Sequence, residues 1–312
     1  MAPDDIFRDP FRMPAGFQKQ VPLRRCLLFC CSYHIAKQPF HVRSKKVHFV
    51  RLVCFTNVKY NPNKRTHVRG QKGYLMIKET LYKAFETKYE ELKEALAGDD
   101  LDRMKKLTLE VHAMVHPAEV SGAFEKTVAD YVLDYMLAGN QNALVPRQIW
   151  DTDLHYAGTD MVPLCWQLWH TYRIEDLVSN MLMADQDQVF NDEWQKKINA
   201  AITDTGNALE PDEVKEFGEK INAEALRDYM ITVGKNTRTI LEKLTLEEIK
   251  SMVPEEWVMR ILEVGGVTTD FRSVWLLVFW GRLTRGGMIL TPMTYHHMMH
   301  LPACIDYLSI ID

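Results

Sequence analysis

The stretch MVPLCWQLWHTYRIEDLVSNMLMA (161–184) decides the fold class. Trp166, His170, Ile174, Leu177 and Met181 recur at intervals of three and four, the period of one helical face. That face is apolar apart from its histidine, so it reads as turned towards a core. Thr159 or Asp160 can cap the helix, and Pro163 is tolerated in its first turn, where the missing N–H breaks no hydrogen bond. A helix this apolar needs helical partners, and the chain on both sides supplies them.

Upstream, IKETLYKAFETKYEELKEALAG (77–98) places Leu81, Phe85, Tyr89, Leu92 and Ala95 on one stripe, with Gly98 as its stop. DDLDRMKKLTLEVHAMVH (99–116) opens with acids that suit a helix N-terminus and ends before Pro117. SGAFEKTVADYVLDYMLAG (121–139) reads as a third helix, with Ser121 as cap and Gly139 as stop, followed by a loop over 140–160. Downstream, 222–244 predicts a long helix and 245–253 and 254–266 predict short ones. The last helical region spans 273–308, with Gly281, Gly286-Gly287 and Pro292 as sites of bending. No period-2 strand stands out. The expectation is an all-α protein, a four-helix bundle with additional short helices.

Residues 1–75 are a different kind of sequence. They hold 15 of the 38 Lys and Arg but three of the 42 acids, leaving 23 bases against 39 acids in the rest. Cys26, Cys30, Cys31 and Cys54 lie there and all seven tryptophans lie beyond it. Cys26, Cys30, Cys31, His34, His41, His48 and Cys54 are zinc-ligand types, but their spacing forms no pair of C-x2-C knuckles. The segment reads as a disordered basic extension or a mis-assigned start, and 76–312 as the helical domain, with its core at about 106–310. A basic arm could bind nucleic acid, but the acidic remainder would repel phosphates. No run reaches the roughly 18 apolar residues of a membrane span. Two isolated cysteines, Cys165 and Cys304, fit the thiols of a reducing cytoplasm.

The chemistry lies in the histidines. His296 and His300 are four apart, so on a helix they share a face and can bind one metal together. His297 stands about 100° round that helix, and a 297/300 pair is the second choice. His170 on its core-facing stripe is the candidate third ligand. His112 and His116 have the same four-residue spacing, but His116 falls in the last helical turn, where the helix dipole favours an imidazolium without any metal. His155 sits in a loop without an evident partner. Glu175 and Asp176 read as ion-pair partners of cations such as Arg173, or as supports of the site. Cys304 reads as a buried structural thiol rather than a metal ligand. No G-x-S-x-G elbow, phosphate loop, dinucleotide fingerprint or H-E-x-x-H motif occurs.

In order and spacing, LEVHAMVHPAEVSG (109–122), LWHTYRIED (168–176), NDEWQKKINAAITDTGNAL (191–209), VGKNTRTIL (233–241), VWLLVFWGRLTRGGMILTPMT (274–294) and HHMMH (296–300) resemble the DinB-like (DinB/YfiT-type) family of four-helix bundles, in a bacterial branch. The resemblance covers about two thirds of the chain. It implies that His170, His296 and His300 ligate zinc, nickel or a similar divalent ion. It also implies a low-molecular-weight thiol as co-substrate, transferred to a small electrophile by a cytoplasmic S-transferase. The alternative is a non-catalytic helical protein, one able to form a homodimer, with a structural or vestigial metal site. The chain departs from the family in its helices before residue 140 and in an insert around 193–217.

Overall fold

A computed structural model describes residues 71–146 and 161–311. The zinc-ligand types of the basic segment, the cap at Thr159 or Asp160, and His155 lie outside the described residues. Helix α1 (Gln71–Ala97) starts five residues before the expected Met76 and buries Phe85, Tyr89, Leu92 and Ala95, as its stripe requires. Helix α2 (Leu101–Val115) is capped by Asp100, whose carboxylate accepts from the Arg103 N–H at 3.0 Å.

The expected third helix is two. Helix α3 (Ala118–Ser121) ends at Gly122 in the left-handed region (φ 72°), a conformation that costs a residue without Cβ nothing. Helix α4 (Val128–Tyr135) takes its cap from Thr127, not Ser121, through a reciprocal capping box with Asp130. A π-helical turn, Met136–Asn140, ends it, with Gly139 at φ 93°. Two three-residue strands then pair antiparallel, β1 (Leu144–Pro146) and β2 (Met161–Pro163). They are too short to show an alternating pattern: β1 falls in the expected loop, and β2 takes the first three residues of the expected helix, so that Pro163 is its N-cap and not part of its first turn.

Helix α5 (Leu164–Asp176) begins directly after Pro163, and every one of its residues is buried. It runs on through a π-helical stretch, Leu177–Met183. Asp176 is the anchor of this segment. Its buried carboxylate accepts from the Val189 and Phe190 N–H groups (2.7 and 2.9 Å), the Tyr229 hydroxyl (2.7 Å), Asn180 Nδ2 (2.8 Å) and Arg173 Nη1 (3.3 Å). The expected ion pair with Arg173 is therefore made by Asp176 and not by Glu175.

Helices α6 (Asp192–Ile198) and α7 (Pro211–Lys220) lie in the insert. Helix α8 (Ala223–Lys243), capped by Asn222, is followed by α9 (Leu246–Lys250) and α10 (Glu255–Glu263), as the periodicity predicts. The last region breaks at Gly281–Thr284, separating α11 (Phe271–Trp280) from α12 (Arg285–Leu290). Gly286 and Gly287 do not break the chain; they sit in the first turn of α12.

Pro292 does not end the helix either. It falls in a π-helical turn, Thr291–Tyr295, that passes straight into α13 (His296–Ile311). A proline removes one backbone donor and crowds the preceding turn. Here the carbonyls around it find other donors: the Thr294 hydroxyl donates to Ile289 and Leu290 (2.8 and 3.0 Å), and the Tyr89 hydroxyl donates to Leu290 (3.0 Å). The inserted residue advances the helix phase by about 100°, which sets the direction in which His296, His297 and His300 leave α13.

Helices α2 and α5 each pack against α8 and against α13, so these four share one core and the fold is all-α, apart from the small hairpin. Among the described residues, no helix is long and apolar enough to cross a membrane.

Candidate metal centres

The structure brings His170, His296 and His300 together, as the sequence predicts. One nitrogen of each lies within 4.8 Å of the others, and the three side chains are buried. The Nε2 atoms of His296 and His300 stand 3.0 Å apart, and the His170 ring centroid is 5.2 Å from each of their rings. Tetrahedral zinc at about 2.05 Å from each nitrogen would hold the nitrogens about 3.3 Å apart, close to this spacing.

One ligand tautomer is set by a neighbour. The Thr205 carbonyl accepts from His170 Nδ1–H at 3.0 Å, which leaves the Nε2 lone pair for a metal. The Gln167 side-chain amide lies against Nδ1 of His300; with the amide turned over, its otherwise unpartnered oxygen would accept from Nδ1–H and leave Nε2, which faces the centre, for a metal. Burial, then the neighbouring His300 and His170, hold the His296 pKa well below its ordinary value. The neutral imidazole is the form that ligates.

The support for His170 comes from the insert. Thr203 and Asp204 are tied to α5 by Arg173 Nε (2.9 Å) and Trp169 Nε1 (3.0 Å), which places the next carbonyl, that of Thr205, over the His170 ring. Gly206 adopts φ 75°, and a Cβ there would lie 2.7 Å from Nε1 of Trp166, the ring stacked on His170 at 5.1 Å. The segment Thr203–Gly206 thus orients one candidate ligand.

A second group lies beside the first. His112, His116 and Glu175 also present one donor atom each within 4.8 Å, with all three side chains buried. His112 Nε2 is 3.2 Å from Glu175 Oε1, and His116 Nε2 is 2.6 Å from Oε2. His297 Nε2 approaches Oε2 to 2.7 Å but lacks hydrogen-bond alignment. Glu175 therefore serves histidines, not Arg173. His116 lies at the end of its helix, as expected, but fully buried beside a carboxylate. The residue is the C-cap of α2, and burial turns it inward against Glu175.

Electrostatics restrict the charge of this group. Burial, then His116, push the His112 pKa down to about 3; burial and His116 push that of His297 to about 4. Burial alone would raise the pKa of Glu175, but His116, His297 and His112 outweigh it and hold the carboxyl well below the ordinary range. The His112 and His116 rings stack at 3.7 Å and 11°. Two imidazolium cations at that separation would repel by about 4 kcal/mol even at an effective dielectric of ~20, so they cannot both be charged.

Helix geometry explains how two centres share two helices. His170 and Glu175 are five residues apart on α5, about 140° round the axis, and His296 and His297 are about 100° apart on α13. Each helix thus gives one side chain to each group, α13 adds His300 to the first, and α2 adds its pair to the second. Sequence reasoning named Glu175 as an ion-pair partner or support and His297 as part of a second-choice pair, but grouped neither with His112 and His116. The available signal was a carboxylate on a helix whose neighbours are apolar all round, where an acid is buried only with a partner.

The thiols are not part of either group. Cys304 donates to the His300 carbonyl (3.4 Å) and Cys165 to that of Gly218 (3.9 Å), and burial pushes both pKa values up to about 12. Iodoacetamide at pH 8 should leave both unmodified in the native protein and alkylate both in urea, read by peptide mass spectrometry. Rapid native labelling of either would refute their burial. No family model matches the chain, and no curated protein matches its sequence.

Proposed function

We propose that the protein is a cytoplasmic metal-dependent enzyme whose ion is held by His170, His296 and His300, and that it transfers a low-molecular-weight thiol to a small electrophile. The observation that carries this reading is the convergence of three buried nitrogens from α5 and α13 on one point. Three protein ligands leave a further position open, the mark of a catalytic rather than a structural centre. When bound there, zinc, nickel or a similar ion lowers the pKa of water or a thiol and supplies a nucleophile near neutral pH. The protein's part is to hold His170 in one tautomer through Thr205, to keep His296 neutral, and to exclude bulk water. The thiol assignment draws on the resemblance to the DinB-like family.

A competing reading is a structural or vestigial centre in a non-catalytic protein. It draws on burial: His170 and His296 are 6% exposed and His300 3%. A transfer assay with an activated electrophile and low-molecular-weight thiols separates the two. Thiol-dependent turnover that follows metal content supports the enzyme. Stoichiometric metal with no turnover on any thiol supports the structural centre.

A further inference from the structure

We propose that His112, His116 and Glu175 form a second site for a divalent first-row transition metal, with the His297 ring beside the carboxylate. The argument starts from His116. Its Nδ1 lies 2.8 Å from the His112 carbonyl, an oxygen that only accepts, so Nδ1 carries the proton. In the neutral ring, Nε2 is then a lone pair, and it stands 2.6 Å from a carboxylate oxygen that also only accepts. Two acceptors at that distance repel unless a cation lies between them or beside them.

A proton on His116 resolves that one contact and leaves the others. His297 Nε2 stands 2.7 Å from the same Glu175 oxygen without hydrogen-bond alignment. Buried polar atoms without a hydrogen-bond partner gather around the group: Nδ1 of His112, Nδ1 and Nε2 of His297, and the hydroxyl of Tyr172, whose ring meets His116 and His297 edge-on at 5.4 and 4.8 Å. Such orphans are rare in folded interiors and point to an ion or water that belongs there. A divalent ion takes the lone pairs of His112 and His116 and an oxygen of Glu175 at once, and its charge compensates the buried carboxylate.

Geometry and donor chemistry fit. Residues 112 and 116 are four apart on α2, with parallel rings that aim both Nε2 atoms at Glu175. Donors about 2.1 Å from a tetrahedral ion stand about 3.4 Å apart. The 3.2 Å between His112 and Glu175 is already close to that, and Glu175 would withdraw from His116, now at 2.6 Å, by about 0.8 Å. The His116 Nδ1–H to His112 carbonyl bond is the outer hydrogen bond that fixes a ligating imidazole. Two imidazoles and one carboxylate select zinc or iron(II) over magnesium or calcium, which prefer oxygen alone. His112, His116, Glu175 and His297 are all 0% exposed, against 3–6% at the first centre, so this site is the more deeply buried of the two.

The test uses the full chain, stripped with chelator and titrated with Zn(II) alone by calorimetry and elemental analysis, beside variants shown to be folded by circular dichroism. The wild type should bind two equivalents. Glu175→Gln, which keeps shape and removes the anionic donor, and His112→Ala/His116→Ala should each bind one. His170→Ala/His296→Ala should retain the second-site equivalent and lose the first. Gly234→Ala tests the site from outside, because its Cβ would lie 2.9 Å from Cδ2 of His116; it should weaken the second equivalent about tenfold. Two equivalents persisting in folded Glu175→Gln and in His112→Ala/His116→Ala would overturn the proposal. So would the loss of all bound zinc in His170→Ala/His296→Ala. If the first centre binds nothing but the second survives, only the function proposed above falls.

Discussion

Replacing His170 by alanine is expected to lower zinc affinity at the first centre by more than about a hundredfold, because it removes a direct ligand where even a supporting hydrogen bond is worth 10- to 100-fold. The remaining pair, His296 and His300, is one turn of α13 and can still hold an ion weakly, so the loss should be of affinity before stoichiometry. The helical circular dichroism should barely change, since His170 is a single ring within a helix whose other residues are packed. Competition with a chromophoric chelator reads the affinity directly. An unchanged constant in His170→Ala would remove the residue from the ligand set. An unchanged metal content in the His170→Ala/His296→Ala/His300→Ala variant would remove the centre altogether.

The largest loss of stability should follow Asp176→Ala. The carboxylate is buried and accepts from two backbone N–H groups, Tyr229, Asn180 and Arg173. Truncation strands the buried Arg173 guanidinium, which keeps the Thr203 carbonyl and Gln188 as acceptors and the face of Phe190 at 4.6 Å. It also leaves the Val189 and Phe190 N–H groups without their acceptor. Breaking a buried ion pair on one side costs about 3–5 kcal/mol, and each orphaned donor costs about 1–3 more. Asp176→Asn, which keeps one acceptor oxygen, should lose less than the alanine variant. Urea unfolding gives both numbers; a loss under about 1 kcal/mol in Asp176→Ala would show that Asp176 does not organise this segment. Metal affinity should fall too, because Arg173 also holds Thr203, two residues before the carbonyl that orients His170.

Much of the fold was legible because local rules and tertiary packing agree along most helices. The stripe of α1, the acidic start of α2, the long helix α8 and the short helices α9 and α10 all follow from periodicity and helix-end chemistry. Misreadings fall where two local signals compete. Ser121 and Thr127 are both plausible caps, and Gly122 between them settles the matter by leaving the helical region. Pro292 reads as a breaker, yet the Thr294 and Tyr89 hydroxyls supply donors that let the helix continue.

The histidines divide in the same way. The pairing of His296 with His300, and the burial of His170, are properties of single helices, so the sequence alone determined them. Which helix face meets which other depends on side chains from about sixty to more than a hundred residues apart, and a local pattern carries no information about that. His112 and His116 could not be told from a helix-end pair until the fold placed Glu175 between them and His297. A carboxylate with three imidazoles around it is a tertiary fact. It arises because α2, α5 and α13 enclose one core, where a polar group must find its partners among whatever side chains packing brings within reach.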